Sequence, residues 1–471
     1  MLSIDGGSLE LSDIADVAGG ALDVWVSSMT RAQAARAYAE QMATSRPIYG
    51  RTTGVGGNRL VALDERPDSE GESSLGLLRS HASSAGRKRS VRRVRAGLLV
   101  RLNQLASGGS GVDPAVIDGL ATMIRTDALP PVRELGGVGT GDLAALATTA
   151  LALLGEVPAT HSMPAPVRFG IGDALPLLSS NAFTIADAAL ASIALRDLAE
   201  KALLIAAASF TAVDGNPEAY SHVVEQVTPF PGARRVCATM RDLVDDDSVG
   251  ARIQDPFALR ALPQVHGPLL DALDTLDTVV VTLANSPSEN PIFVPEESVA
   301  HHGGFHVAYL AQALDAVRLA LAQACQLSLA RLSMLCDPSM TGLAPFLADG
   351  RPGASGVMTV EYVVASALAS LRARATPASV QTVTLSHGVE EDASFASLGA
   401  RQALDSVPVV QNVLAGELVA AVRCLRMRGL DPAPLHAWLA QLDGIGTEVA
   451  DRDLTPDLMW AANFLAPRGW D

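Results

Sequence analysis

Beyond residue 180 the chain reads as a series of helical periods, over about 182–209, 260–284, 304–335, 356–375 and 408–427. The 304–335 stretch alone would extend about 48 Å at 1.5 Å per residue. Its apolar residues fall on most sides instead of in one stripe, and a helix of that kind needs several neighbours. Side-by-side packing into a bundle, shared between subunits, is the simplest way to cover such helices. The fold expected is therefore mainly α, an elongated subunit with a long central helix bundle. Residues 181–471 would form the bundle and C-terminal helices, and residues 1–180 a mixed N-terminal region carrying loops.

Composition agrees with helices over aromatic-rich sheet, since hydrophobic residues make up 48% of the chain and aromatics 4%. A mean hydropathy of +0.25 raises the question of a membrane. The best apolar run, 143–154, is shorter than the roughly 20 residues needed to cross a bilayer. The longer segment 185–210 carries Asp187, Arg196, Asp197, Glu200 and Lys201, which suits a helix buried among helices and paired at a few polar positions. The hydropathy is accordingly read as subunit contact, with no membrane partner expected. Thirty-five basic against fifty-one acidic residues give a formal charge of −16, a field that opposes nucleic-acid binding. The acidic N-terminus lacks the basic start and apolar stretch of a secretory signal. Cys237, Cys325, Cys336 and Cys424 lie far apart, with no CxxC and no zinc-type spacing. A reduced, cytoplasmic protein without a metal is the expectation.

Two glycine-rich stretches break the helical pattern. IYGRTTGVGGN at 48–58 holds four glycines in eleven residues and must be a loop. ELGGVGTGD at 134–142 runs into the apolar helix LAALATTALALL, so it sits at a helix N-terminus, where free N–H groups favour negative charge. VRRVRAGLLVRLNQLA at 91–106 has helical spacing and ends at GGSG. The charged stretches 64–74 and 86–95 read as exposed, and the basic run Arg87 to Arg95 as a solvated loop and helix start. Three polar clusters interrupt apolar helical territory: RIQDPFALRALPQVHG at 252–267, ANSPSENP at 284–291 and LSHGVEEDASF at 385–395. Buried polar groups need partners, and clusters that punctuate long helices mark a site.

These residues, together with YGRTTGVG, LLRSHASS, VRAGLLVRLNQLASGGSGV, GVGTGDLAALA, NSPSENP, GGFH and SGVMTVEYVVASALASL, resemble the signatures of the aromatic amino acid ammonia-lyases. That family includes histidine, phenylalanine and tyrosine ammonia-lyases and related aminomutases. The resemblance runs in order over almost the whole chain. It implies an L-aspartase/fumarase-like helical subunit, a homotetramer, and active sites built by more than one subunit around a small-molecule substrate. It also implies a prosthetic group: in the family an internal Ala-Ser-Gly triad cyclises and loses water to give a methylidene-imidazolone electrophile. The family's loop reads G-S-V-G-A-S-G-D-L; the corresponding loop here reads Gly136-Gly137-Val138-Gly139-Thr140-Gly141-Asp142-Leu143, one residue shorter, without the serine that supplies the methylidene carbon.

Other family positions carry over by motif. Tyr49 stands where the family has its catalytic base, on a glycine loop suited to closing over substrate. Arg260 matches the carboxylate-binding arginine, whose planar fork grips carboxylate bidentately. Phe257 replaces a second tyrosine, and Glu390 aligns with the catalytic glutamate while Val389 replaces the usual Gln. His81, after Ser80, occupies the selectivity pair in the manner of the histidine lyases. Asn290 with Glu289 matches Asp-Asn-Pro, and Phe305 matches the ring-packing phenylalanine. The family's Leu-x-Asn-Gly is offered by Ser179 on spacing and by Asn181 on residue type, with Asn181 preferred. A β-proton beside an aromatic ring is far from acidic, and a tyrosine of pKa about 10 does not remove it unaided. The expectation is thus a lyase-family enzyme without the imidazolone, using no cofactor, and catalysing elimination, conjugate addition or cyclisation on a small substrate whose proton is acidified by a carbonyl. One alternative is a true histidine-type ammonia-lyase or aminomutase whose prosthetic group derives from Gly139-Thr140-Gly141; a second is a non-catalytic binding relative.

Overall fold

A computed structural model describes residues 1–63, 71–244 and 249–470; most of the charged stretch 64–74 lies outside them. The fold is mainly helical, as expected. Its longest helices are Ala182–Ala212, Leu262–Ala284, Ala308–Leu335 and Ala396–Arg428. The first and fourth have apolar residues on most sides and are largely buried along their length, which is why their sequences lack the one-sided stripe of a surface helix; Ala308–Leu335 instead exposes one face along Tyr309, Gln312, Ala316, Leu319 and Gln323, unlike the sequence reading. The stretches Ala174–Ala212 and Ala396–Arg428 are long and apolar enough to cross a membrane by composition, but 94% and 83% of their most apolar windows are buried within the protein.

Two helix starts differ from the sequence reading by more than three residues. The helix expected from 304 begins at Ala308, because residues 303–306 form a turn in which the His306 N–H donates to the Gly303 carbonyl at 2.9 Å. The helix expected from 408 begins at Ala396 and carries Pro408 inside it. Proline at that position reads as a helix start because it lacks an N–H. Ala396, Ala400, Ala403 and Val407, spaced four, three and four apart, continue one buried face straight past that point.

The described residues form two compact units that interleave along the chain, where the sequence suggested consecutive parts divided at 180. The first comprises Met1–Ala191, Leu276–Leu314 and Pro377–Leu404; the second Ser192–Thr275, Asp315–Thr376 and Asp405–Asp471. The division falls inside each of the four long helices, which is why no composition shift announces it.

The first unit holds three two-stranded sheets: a parallel pair, Leu2–Ile4 with Val24–Val26, and two antiparallel pairs, Ala85–Lys88 with Arg133–Leu135 and Ile292–Val294 with Ser298–Ala300. The basic run is not simply a solvated loop. Arg89 and Arg93 converge on buried Asp187, Arg93 also meets Glu134 at 3.0 Å, and Arg95 meets Asp127 at 2.7 Å; Arg87 and Lys88, on the strand Ala85–Lys88, remain exposed. These arginines fasten Val91–Ala106 to the start of Ala182–Ala212.

The second unit is helical throughout and contains a buried ion pair, Arg331 Nε to Glu417 Oε1 at 2.6 Å and Nη2 to Oε2 at 2.9 Å. Ser209 Oγ donates to the same carboxylate at 2.7 Å. Nearby, burial and the charge of Arg331 push His266 down to about 4, so that its ring is neutral at ordinary pH.

Candidate functional site

The first unit gathers most of the sequence-predicted site residues around two glycine loops. Loop 48–63 is anchored at Ile48, which is fully buried in a cluster with Ala39, Phe293 and Val299. Its carbonyl accepts from the N–H groups of Arg51 and Thr52, a tight turn that holds Tyr49 just beyond the core. Gly50 is obligatory here: its φ is +71°, and a Cβ would lie 2.1 Å from Leu175 Cδ2. The half-buried Tyr49 turns its hydroxyl back onto its own loop, where it accepts from the Gly56 N–H at 2.7 Å.

Glu390 comes to this loop from segment 385–390. Leu385 and Glu390 pair in a short bridge, and Ser386, His387 and Gly388 between them all have positive φ. For the two non-glycine residues such backbone is strained by roughly 1–3 kcal/mol each and persists only where surrounding structure imposes it. The turn presents Ser386 and Glu390 to Gly56: Ser386 Oγ donates to Glu390 Oε1 at 3.1 Å, and a Cβ on Gly56 would lie 3.2 Å from Ser386 Oγ and 3.5 Å from Glu390 Oε1. Burial and the Glu390 charge both raise the Tyr49 hydroxyl above its ordinary value, against the opposing Gly56 N–H. Tyr49 is thus protonated at neutral pH.

The second loop, 136–142, precedes helix Leu143–Leu153. The Gly139 carbonyl accepts from Ser394 Oγ at 2.8 Å, and the Gly141 N–H donates to Asn181 Oδ1 at 3.1 Å. Gly139 has φ +88°, and a Cβ there would fall 2.2 Å from Ser394 Oγ and 2.8 Å from the Phe395 nitrogen. Thr140 between them is half-buried. Asp142 is fully buried and held by Thr184 through its N–H at 2.8 Å and its hydroxyl at 2.9 Å.

Asn181 also donates through Nδ2 to the Phe305 carbonyl, so one side chain joins the 139–141 loop to the GGFH segment. Ser179, the competing residue by spacing, binds elsewhere, its hydroxyl accepting from the Asn290 N–H at 3.0 Å. Asn290 Oδ1 in turn accepts from the His302 N–H at 2.9 Å. Beneath this hub a fully buried Arg101 bonds Glu289 Oε1 at 2.8 Å and the Leu177 carbonyl at 3.0 Å, fixing segment 176–181 to 289–290. His81 closes helix Glu72–His81, with Nδ1 directed at the Leu77 carbonyl, 3.0 Å away.

Arg260 and Phe257 belong to the second unit, on the short helix Phe257–Arg260. The guanidinium sits 4.3 Å over the Phe257 ring and donates through Nε to the Asp255 carbonyl at 2.8 Å. Among the described residues no carboxylate pairs with Arg260, although most of its arginine neighbours in the sequence have one. Its outer nitrogens therefore remain available to an external anion. Phe257 is 66% exposed. Ser394, Ser386 and His301 turn out to touch these loops; the two serines carried no signal in the sequence beyond membership of the 385–395 polar cluster, and His301 carried none.

Comparison with known proteins gives a consistent result. The profile of the aromatic amino acid lyase family matches residues 9–443. A histidine ammonia-lyase of Caenorhabditis elegans is 32% identical over 97% of this chain and 72% of its own length. One from Geobacillus thermodenitrificans is 32% identical over 92% of this chain and 90% of its own. Among solved structures, a tyrosine aminomutase from Streptomyces globisporus superposes with a TM-score of 0.91 at 26% identity, covering 99% of this chain and 97% of that one. An ergothionase from Treponema denticola has the same fold, with a TM-score of 0.92 at 24% identity and 98% of each chain covered.

Proposed function

The chain belongs to the aromatic amino acid lyase family and is an enzyme of the carbon–nitrogen lyase kind, and on that premise we propose that it works on a small carboxylate substrate without an imidazolone electrophile. The family's group forms from Ala-Ser-Gly by closure of the first carbonyl onto the third amide, followed by loss of the middle hydroxyl. The residues present do not fit it. The space an alanine Cβ would need at 139 is filled by Ser394 Oγ, the two backbone groups that would join are held by Ser394 and Asn181, and the middle residue is a β-branched threonine.

The observation that carries this reading is that the chain holds both an Arg260 that no carboxylate among the described residues neutralises and a tyrosine whose loop lies against Glu390. A carboxylate held by Arg260 makes its own α-proton easier to remove, because the developing negative charge on the carboxyl oxygens is met by a fixed cation. Tyr49, as tyrosinate, takes that proton; the electron pair forms the C=C bond and expels an ammonium substituent on the β-carbon as ammonia. Glu390 holds the ammonium substituent before it leaves as neutral ammonia. The same groups run in reverse give conjugate addition, and with an internal nucleophile, ring closure. In this assignment the active site is completed in a homotetramer, with His81, Asn290 and Phe305 lining it and Asn181 and Thr140 at its floor.

Intact mass tests the central claim without knowledge of the substrate. The mass is expected to equal that of the sequence, with no near-ultraviolet absorption beyond the aromatics; a mass short by two waters, with an absorption band that borohydride removes, would overturn the electrophile-free mechanism and assign the reactive carbon to Thr140. With a β-amino acid that the enzyme turns over, Arg260→Lys is expected to raise KM roughly tenfold or more and to change kcat less, because a point charge replaces a bidentate fork. An unchanged KM would remove Arg260 from substrate binding.

A further inference from the structure

Tyr49 is held at both ends. Its hydroxyl is bonded within its own loop, but its backbone N–H leaves the loop and donates to His301 Nε2 at 3.2 Å. The two rings also meet edge to face, with centroids 6.5 Å apart and planes at 88°. His301 follows the strand Ser298–Ala300 and immediately precedes His302, whose N–H bonds Asn290 Oδ1 and whose Nε2 lies 2.6 Å from the Glu289 carbonyl. Further along, the Phe305 carbonyl receives Asn181, and Asn181 receives Gly141. A single stretch of chain, 301–305, therefore connects the base loop to the hub that carries residues 139–141.

We infer that His301 is a positioning residue for the reaction: its Nε2 accepts the Tyr49 N–H and so sets where the Tyr49 loop rests above the substrate. The inference rests on Tyr49 being the proton carrier. An imidazole suits this role only while Nε2 is unprotonated, since an N–H at that position would face the Tyr49 N–H donor to donor. The titratable and charged groups around it are Arg46, His302 and Tyr49 itself. Burial, then Arg46 and His302, hold His301 below its ordinary value, so the acceptor persists through neutral pH and is lost only on acidification. The enzyme accordingly carries, on top of the slope set by Tyr49, an extra steepening on acidification that belongs to loop position and not to the chemistry of the base.

Two variants separate this role from packing. His301→Gln places an amide oxygen within reach of the same N–H and does not titrate, whereas His301→Phe keeps a ring edge against Tyr49 but accepts nothing. Hydrogen–deuterium exchange of the peptide containing residues 48–58, in the full-length protein, is expected to quicken roughly threefold to tenfold in His301→Phe, the range set by loss of one net hydrogen bond, and to stay near wild type in His301→Gln. In turnover, His301→Phe should lower kcat more than it raises KM, His301→Gln should recover most of that loss, and the extra steepening of the profile below neutrality should be absent from His301→Gln, leaving only the slope set by Tyr49. Unchanged exchange in His301→Phe, or the same steepening in His301→Gln as in wild type, would overturn the inference. Faster exchange with an unchanged rate would uphold the contact but overturn its role in positioning the base.

Discussion

Tyr49→Phe is expected to lower kcat by roughly 10²- to 10⁴-fold, the usual contribution of a positioned general base, while leaving the far-ultraviolet circular dichroism spectrum and the oligomeric state unchanged. The substitution removes a hydroxyl that accepts one backbone N–H, from Gly56, which bears on the loop but not on the core, since Ile48 supplies the anchoring contacts. The pH profile gives a second reading of the same residue. Burial and Glu390 raise the hydroxyl above 10, so the basic form is a minority species at neutral pH. As base, Tyr49 predicts a kcat/KM that climbs about tenfold per pH unit through the alkaline range without levelling below pH 10. Glu390→Gln removes one of the two raising influences and should shift that limb to lower pH. A Tyr49→Phe enzyme with wild-type rate, or a limb that levels near neutrality, would exclude Tyr49 from proton transfer.

Glu417→Ala is expected to destabilise the protein by about 3–5 kcal/mol, the typical cost of leaving one partner of a buried ion pair without the other. Arg331 is 2% exposed and Glu417 is fully buried; after truncation the guanidinium would keep only the Ala258 carbonyl, 3.2 Å from Nη1. Set against the roughly 5–15 kcal/mol by which most domains are stable, such a loss is a large share of the total. The companion variant Arg331→Met/Glu417→Leu, which removes both charges, should recover most of it. The check is denaturant unfolding followed by circular dichroism; a Glu417→Ala midpoint within experimental error of wild type would show that solvent already reaches the pair.

What was legible in the sequence is what is local in the chain. The loop around Tyr49 declared itself because four glycines suit no helix or packed strand, and the segments around Arg260 and Glu390 because they punctuate apolar helices, while the roles proposed for the three residues came from their resemblance to family motifs. The mainly helical fold was legible for the same reason, since apolar residues on every side of a long period leave little choice but burial among other helices. What the sequence did not show depends on contacts between distant segments. Ser394 meets Gly139 from 255 positions away and His301 meets Tyr49 from 252, and neither residue type is rare enough to announce itself. The basic run misled for a related reason: a charge run is read as solvated unless its partners are known, and Asp187 lies in a helix whose surrounding residues are almost all apolar. Pro408 misled in the opposite sense, because a local rule about backbone hydrogen bonding yielded to a buried face that spans it.

The four long helices that each contribute residues to both units bear on how such a chain is inherited and rebuilt. Exchange of a segment with a relative leaves a fold intact most readily when the crossovers fall in loops at a unit border. Here four of the five borders, between 191 and 192, 275 and 276, 314 and 315, and 404 and 405, lie within a helix, and only the one between 376 and 377 lies in a connection. A chimaera that takes one unit from a relative therefore has to join two parental sequences in mid-helix four times, with both faces of each junction matched. Recombination offers this protein few seams, and change in its loops is left to substitution.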